Sequence, residues 1–278
     1  MASRTLAVYQ KDGALRNLAT AVLSCHPITT LPDDDRSFFK TAADTDYIIA
    51  TRETIFHPQG GGQPSDTGSI KSASPGSSEI QFDVKSVRKL PKDRILHQGT
   101  FTSPAEISGG VFAEGQTIMQ AIDDEKRNFH SRLHTAGHLL GLAVRQLAES
   151  SIPELGKVSE SKANHAPGAA SVEYFGSIAG EHKKAIQDQA NELVKQGLPV
   201  NVLWWDEETT RSKCTAVPEE MAVPEEGVFR VVEVEGVGSY PCGGTHLPST
   251  GDVGGIVVKK ISRSKGVSRI SYDVTDVV

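Results

Sequence analysis

Cysteine is scarce in this chain: Cys25, Cys214 and Cys242 are its three examples in 278 residues. An odd, scattered set excludes a disulfide framework and makes a reducing compartment the natural setting. Long apolar runs are missing too. Nothing approaches the roughly 20 residues that a membrane helix needs, and the N-terminal Met1–Gln10 is followed by charged residues rather than an apolar signal core. A cytosolic chain with no membrane partner is therefore expected. Positive charge is also short, with 29 Lys and Arg against 35 Asp and Glu, a net charge of −6 and a pI near 5.9. That balance excludes a protein that coats nucleic acid by neutralising phosphates along its whole surface. A local basic patch remains compatible with it. Internal repeats and low-complexity tracts are absent as well.

What is present suits a globular protein with its own core, long enough for two modest domains or one large one. Two motifs stand out. In Arg127–Leu140, His134 and His138 lie four residues apart, which on a helix puts both imidazoles on one face, one turn from each other. About a hundred residues later comes Pro241-Cys242-Gly243-Gly244-Thr245-His246. Its two glycines permit a tight turn that aims a thiolate and an imidazole at one point. Taken singly, neither motif specifies a metal, since paired helical histidines are also common as solvated or core groups. Together they make a borderline-soft donor set suited to Zn2+, one ion per chain. His130 lies one turn before His134, and pairing with a neighbouring carboxylate is the expectation for it.

In chain order, residues 5–120 carry short apolar stretches separated by Gly, Pro, Asp and Ser, the pattern of a β-rich unit. Strands are predicted over 18–24, 47–50, 80–87 and the run ending at Leu96-His97, forming a small barrel or sandwich. A solvated loop is expected over 71–78. Within this unit lies Thr54–Gly68, which contains Gly60-Gly61-Gly62. Three successive glycines leave a loop without side chains, so a ligand can come close and several N–H groups stay free to donate. Gln63 and Asp66 place polar groups just beyond. A plain hairpin turn with Asp66 capping a backbone N–H accounts for the pattern equally well. It is not a Walker loop, because no Lys-Ser/Thr pair follows.

Residues 121–150 read as a long amphipathic helix opened by Asp123-Asp124-Glu125. Lys157–Gly168 reads as a polar link in which Ser159, Glu160 and His165 face either a site or, taken alone, the surface. Further expectations are a strand over 169–175, a helix over 181–196 and strands over 198–205 and 228–234. Residues 206–227 read as a polar segment, 236–245 as a loop with the second motif, and 255–261 with 267–274 as a closing hairpin. This order predicts an α+β fold, its antiparallel sheet packed on two helices, with domains over 1–120 and 121–278. The hairpin holds Lys259, Lys260, Arg263, Lys265 and Arg269, a cluster that fits either a solvated sheet edge or a phosphate contact.

The sequences HTAGHLL, CGGTH, PQGGGQPSDTG and IVVKKISRSKGVSRISYDV together resemble the freestanding alanyl-tRNA editing proteins. Those resemble the editing domain of alanyl-tRNA synthetase and the second additional domain shared with threonyl-tRNA synthetase. The resemblance implies a barrel-like N-terminal domain and a zinc hydrolase that removes serine or glycine from mischarged alanine tRNA. It further implies His134, His138, Cys242 and His246 as zinc ligands, with Gly61, Gly62, Gln63 and Asp66 beside the editing pocket. Gln63 and Asp66 are then the candidate catalytic residues, and Thr54, Gly61, Gly62, Gln63 and His165 the candidate substrate contacts. The chain departs from the synthetase pattern at Gly137, where a threonine often stands. A monomer is expected, and no separate tRNA-recruiting domain is expected after Val278. The competing readings are a non-catalytic zinc-stapled RNA-binding module and a zinc hydrolase acting on a small ester or amide.

Overall fold

The computed structural model describes residues 4–72, 80–102, 112–217, 221–224 and 226–276. The chain divides into two compact units, one made of residues 1–60 and 64–127, the other of 61–63 and 128–278. The tripeptide Gly61-Gly62-Gln63 thus counts with the second unit although the chain on either side of it belongs to the first.

In the first unit, β1 (Leu6–Ala7) leads to β2 (Asn17–Pro27), the short helix α1 (Asp33–Arg36), β3 (Tyr47–Thr51), β4 (Glu53–Thr54), β5 (Gly68–Ser72), β6 (Gln81–Leu90), β7 (Arg94–Phe101) and β8 (Thr117–Ile122). Six of these close a barrel in the order β2-β3-β7-β6-β5-β8. Every pairing in it is antiparallel. Closure removes the sheet edges that would otherwise template aggregation. Ile49, Phe82, Val84, Ile95 and Ile118 belong to one buried cluster, while Ile48, Ala50 and Leu96 alternate with them into a second cluster with Ile28, Leu31 and Phe39. Two apolar faces explain why the run Tyr-Ile-Ile-Ala-Thr is apolar at successive positions.

The strands expected over 18–24, 47–50, 80–87 and up to Leu96-His97 are present with longer bounds. β5 and β8 were not anticipated. Lys71 and Ser72, expected in a loop, end β5, and the rest of that loop, residues 73–78, lies outside the described residues.

Then follow α2 (Asp124–Ser150), β9 (Ser159–Asn164), β10 (Ser171–Phe175), α3 (Lys183–Lys195), β11 (Val200–Asp206), α4 (Glu207–Lys213), β12 (Val228–Val234), β13 (Gly238–Pro241), β14 (Ile256–Ser264) and β15 (Val267–Val274). Asp123 Oδ1 accepts the Lys126 N–H at 3.1 Å and so caps α2. Leu133, Ala136, Leu139, Leu140, Ala143, Val144 and Leu147 recur at helical spacing and are buried in the core of the second unit. Two antiparallel sheets, β14-β15-β10-β9 and β11-β12-β13, take the place of the single expected sheet. The fold class is α+β with a small barrel, as expected.

Helix α3 buries Ile186, Ala190 and Leu193 and also covers the free edge of β14. Asn191 exchanges two 2.8 Å bonds with the backbone of Ile256, and Gln187 Oε1 accepts from Val258 N–H at 3.0 Å. Side-chain amides here satisfy a strand edge in place of another strand. Two expectations change. The polar link over 157–168 contains β9, whose composition is polar because it is an outer strand of its sheet with one face exposed. The polar segment over 206–227 opens with α4, started by Asp206 accepting from Thr209 N–H at 2.7 Å.

Candidate metal centre

Helix α2 presents His134 and His138, and the turn after β13 presents Cys242 and His246. One donor atom from each lies within 4.8 Å of every other, the one group able to hold a metal ion found among the described residues. Cys242 Sγ stands 3.4 Å from His134 Nε2 and 3.3 Å from His246 Nε2. Bonds of about 2.3 Å to sulfur and 2.05 Å to nitrogen at a tetrahedral angle put those atoms roughly 3.6 Å apart. The donor spacing therefore comes within about 0.3 Å of what zinc requires.

The surroundings fix the imidazoles. Thr245 donates its backbone N–H to Gln63 Oε1 at 3.0 Å, which settles the orientation of that amide. The same oxygen faces His134 Nδ1 at 2.7 Å, so Nδ1 carries the proton and Nε2 offers its lone pair on the side of Cys242. Gln63 Nε2 in turn donates to Thr245 Oγ1 at 2.8 Å, and Ser131 Oγ meets that hydroxyl at 2.8 Å. His246 Nδ1 sits 3.2 Å from Thr135 Oγ1, which also accepts the Leu247 N–H at 3.2 Å. The buried Nδ1 of His138 has no hydrogen-bond partner among the described residues. No hydrogen bond at that atom therefore fixes the tautomer of the ring.

Electrostatics agree. Burial pushes the Cys242 thiol above its usual value, against the Gly244 N–H and the Arg230 cation, which lower it. A dication at this point supplies the charge that turns such a thiol into a thiolate ligand. Burial, with the charges of His165 and Arg230, brings His138 down to about 3, and burial alone brings His165 to about 4. Both rings are thus neutral near pH 7, the form that can coordinate or accept.

Two glycines make the arrangement possible. A Cβ at Gly244 would stand 2.3 Å from His134 Cε1 and 2.4 Å from its Nδ1, so only a bare backbone passes beside that ring. A Cβ at Gly137 would stand 2.4 Å from His165 Cε1 and 2.7 Å from the Tyr272 hydroxyl. The departure noted at Gly137 therefore has a cause: the space of a side chain there is filled by His165, which stacks on His134 at 4.1 Å between ring centroids, 21° from parallel.

The other expected site residues fall as follows. Gly62 has φ +80° and places its carbonyl against the His165 N–H at 2.8 Å, while Gly61, at φ +55°, has nothing near its missing side chain. His130 is buried and stands outside the quartet of donors.

Thr54 and Asp66 belong to the first unit and are engaged there. The Thr54 hydroxyl meets His97 Nε2 at 2.8 Å and accepts the Phe56 N–H at 3.0 Å. Asp66 takes the His57 N–H at 2.6 Å and both an Nε and an Nη2 contact from Arg127, each partner only 1% exposed. Asp66 thus accepts a backbone N–H, as the hairpin-turn alternative expected of it.

In the basic hairpin, Lys259 pairs with Asp273 at 2.7 Å, Arg263 reaches Ser177 Oγ at 3.3 Å, and Lys259 and Lys260 are exposed on the outer strand β14. Sequence reasoning missed Tyr272, which meets His165 Nδ1, and Tyr240, whose ring centroid lies 4.8 Å from that of His138; no local pattern signalled either.

Comparison with known proteins agrees with this centre. The threonyl and alanyl tRNA synthetase second additional domain matches residues 229–271, the segment that contains Cys242 and His246. A protein of Methanosarcina barkeri named alanyl-tRNA editing protein AlaX-M is 31% identical over 238 residues, 83% of this chain and 90% of its own. The chain belongs to the alanyl-tRNA editing protein family. Alanine–tRNA ligases are also similar, at 28% identity over 82% of this chain for Methanosphaera stadtmanae and 31% over 79% for Methanothermobacter thermautotrophicus. The chain spans about a quarter of the length of those ligases, 24% and 23% respectively. No helix among the described residues is long and apolar enough to cross a membrane.

Proposed function

We propose that this member of the alanyl-tRNA editing family is a trans-editing hydrolase that deacylates alanine tRNA mischarged with serine or glycine. In this reading one zinc ion is held by His134, His138, Cys242 and His246, residues 121–278 form the editing domain and residues 1–120 the domain bearing the glycine motif. The observation that carries it is the convergence of three imidazoles and one thiol within 4.8 Å, in a chain similar to a protein named for alanyl-tRNA editing.

Water adds to the ester carbonyl, the bond to the terminal ribose oxygen breaks, that oxygen takes the proton, and the free amino acid leaves. When bound, zinc supplies Lewis acidity that polarises a carbonyl and acidifies water. The chain's own residues prepare the place. Gln63 fixes the His134 tautomer, so its catalytic part is to position a ligand. Gly61 and Gly62 offer a floor without side chains. Asp66 and Thr54 accept the backbone N–H groups of His57 and Phe56, all within the first unit. Selection of serine over alanine needs a group that hydrogen-bonds the hydroxyl, because alanine then leaves that group unpaired.

A second reading draws support from the donor count. Four protein donors normally close a zinc site, as in a structural staple, whereas catalytic zinc keeps one position open. His138, with its unpartnered Nδ1, is the imidazole least anchored by hydrogen bonds and is the donor able to yield.

Cys242→Ala decides between the readings when metal content and deacylation of Ser-, Gly- and Ala-charged alanine tRNA are measured together. Loss of zinc with loss of serine and glycine release, alanine being spared in the parent, supports editing. Binding of tRNA by the parent without turnover supports the staple, and turnover of simple esters alone supports a small-ester hydrolase. Full activity of a metal-free Cys242→Ala preparation rejects the zinc mechanism.

A further inference from the structure

Beside the donor quartet, His165 has one nitrogen whose role is fixed by its neighbours and a second, Nε2, that shows no hydrogen bond among the described residues. The Tyr272 hydroxyl lies 2.9 Å from the Leu133 carbonyl and 2.7 Å from His165 Nδ1. A carbonyl only accepts, so the single phenolic proton points to Leu133, and His165 Nδ1 must donate to the tyrosine oxygen. Nε2 of His165 is then left with a lone pair.

The ring's orientation follows from the two glycines beside it. Cε1 is the atom a Cβ at Gly137 would meet at 2.4 Å, and Cδ2 the atom a Cβ at Gly62 would meet at 3.2 Å. Nε2 lies between Cε1 and Cδ2, so it faces the space between two residues that have no side chain to cover it. Stacking on His134 holds it next to the donor quartet. Gly62, Gly137, His134 and Tyr272 lie against the ring, and none of these four carries a carboxylate. A neutral acceptor in such surroundings suits a neutral hydroxyl donor better than an ammonium.

We infer that His165 Nε2 is the acceptor that recognises the side-chain hydroxyl of a seryl group on the substrate, with Tyr272 as the positioning residue that fixes its tautomer and Gly137 as the residue that admits its ring. This rests on the editing reading above and names the atom that selects serine in it. Alanine offers no donor to Nε2, and glycine does not reach it.

The test compares His165→Phe and Tyr272→Phe with the parent, each checked for bound zinc. Phenylalanine at 165 keeps a flat, somewhat larger ring against His134 and removes both nitrogens, and its bound zinc shows whether the centre tolerates it. Tyr272→Phe keeps the packing and frees the imidazole to adopt either tautomer. The readout is the ratio of kcat/KM for seryl- over glycyl-charged alanine tRNA, which a merely structural loss leaves unchanged. The ratio is expected to fall about tenfold or more in His165→Phe, and in the same direction by less in Tyr272→Phe. An unchanged ratio in an active His165→Phe enzyme overturns the inference and leaves the editing reading standing. Should the parent deacylate neither tRNA, the editing reading fails, and binding of 3′-seryl- and 3′-alanylamido-3′-deoxyadenosine decides the recognition alone. A seryl preference lost in His165→Phe supports it there, and no preference in the parent overturns it.

Discussion

Nδ1 of His134 and Oε1 of Gln63 stand 2.7 Å apart, and the same amide oxygen takes the backbone N–H of Thr245 at 3.0 Å. One side chain from the glycine loop thereby ties the helix to the turn that carries the thiol and the last imidazole. The first prediction follows from that bond. Gln63→Leu leaves the His134 N–H and the Thr245 N–H without their acceptor, and zinc affinity should fall about 10- to 100-fold, as is usual when a ligand loses its outer partner. Gln63→Glu retains the acceptor and should recover part of it. Competition with a chromophoric chelator measures both, and equal affinity in parent and leucine variant contradicts the assignment.

Asp66 and Arg127 make a pair that is almost completely buried, each 1% exposed, and Arg127 Nη2 also donates to the Ile55 carbonyl at 2.6 Å. Removing one charge strands the other in a low-dielectric interior. Arg127→Met should therefore cost about 3–5 kcal/mol in urea unfolding, more than an ordinary surface change. Adding Asp66→Asn to that variant should restore a good part, since the orphaned carboxylate is the main penalty. A cost under about 1 kcal/mol for the single variant would show that water reaches the pair.

How much of this was legible in the sequence depends on how far each residue's reason lies from it along the chain. β3, β6 and β7 announce themselves because their own apolar residues face a core. β5 and β8 do not: Ile70 is the one fully buried residue of Gly68–Ser72, and in Thr117–Ile122 the buried positions are Ile118, Gln120 and Ile122 while Met119 and Ala121 face outward, so polarity does not alternate with burial. β9 looked like a loop because an outer strand needs few apolar side chains, and α4 has no apolar stripe at all. The metal motifs were readable from spacing, since four residues on a helix or around a turn fix where two donors point. Gly137 was readable only as a missing side chain. Its reason is His165 and Tyr272, the latter delivered by β15 135 positions later, and no local pattern encodes that contact.

Glu160 tests the electrostatics of the same unit. Its carboxyl is mostly buried, takes the Tyr240 hydroxyl at 2.8 Å, and lies across the strand pair from Tyr174, whose own hydroxyl has no partner among the described residues. Burial raises its pKa, and the Tyr240 bond offsets only part of that. The folded protein accordingly holds this proton more tightly than the unfolded chain, where a glutamate titrates near about 4.3. Through the window from that value up to the folded pKa the native state binds more protons, so stability falls as pH rises. Above the window the full penalty of a buried carboxylate is present. Glu160→Gln keeps an oxygen for Tyr240 and carries no charge, so it should be more stable than the parent at pH 7, by about 1.4 kcal/mol for each unit by which the folded pKa exceeds the unfolded one. The advantage should shrink as pH is lowered through the window and vanish well below about 4.3, where the parent carboxyl is protonated in both states. Urea unfolding of the two proteins between those limits measures it, and a glutamine variant less stable than the parent at pH 7 would mean that a cation, not desolvation, governs this carboxylate.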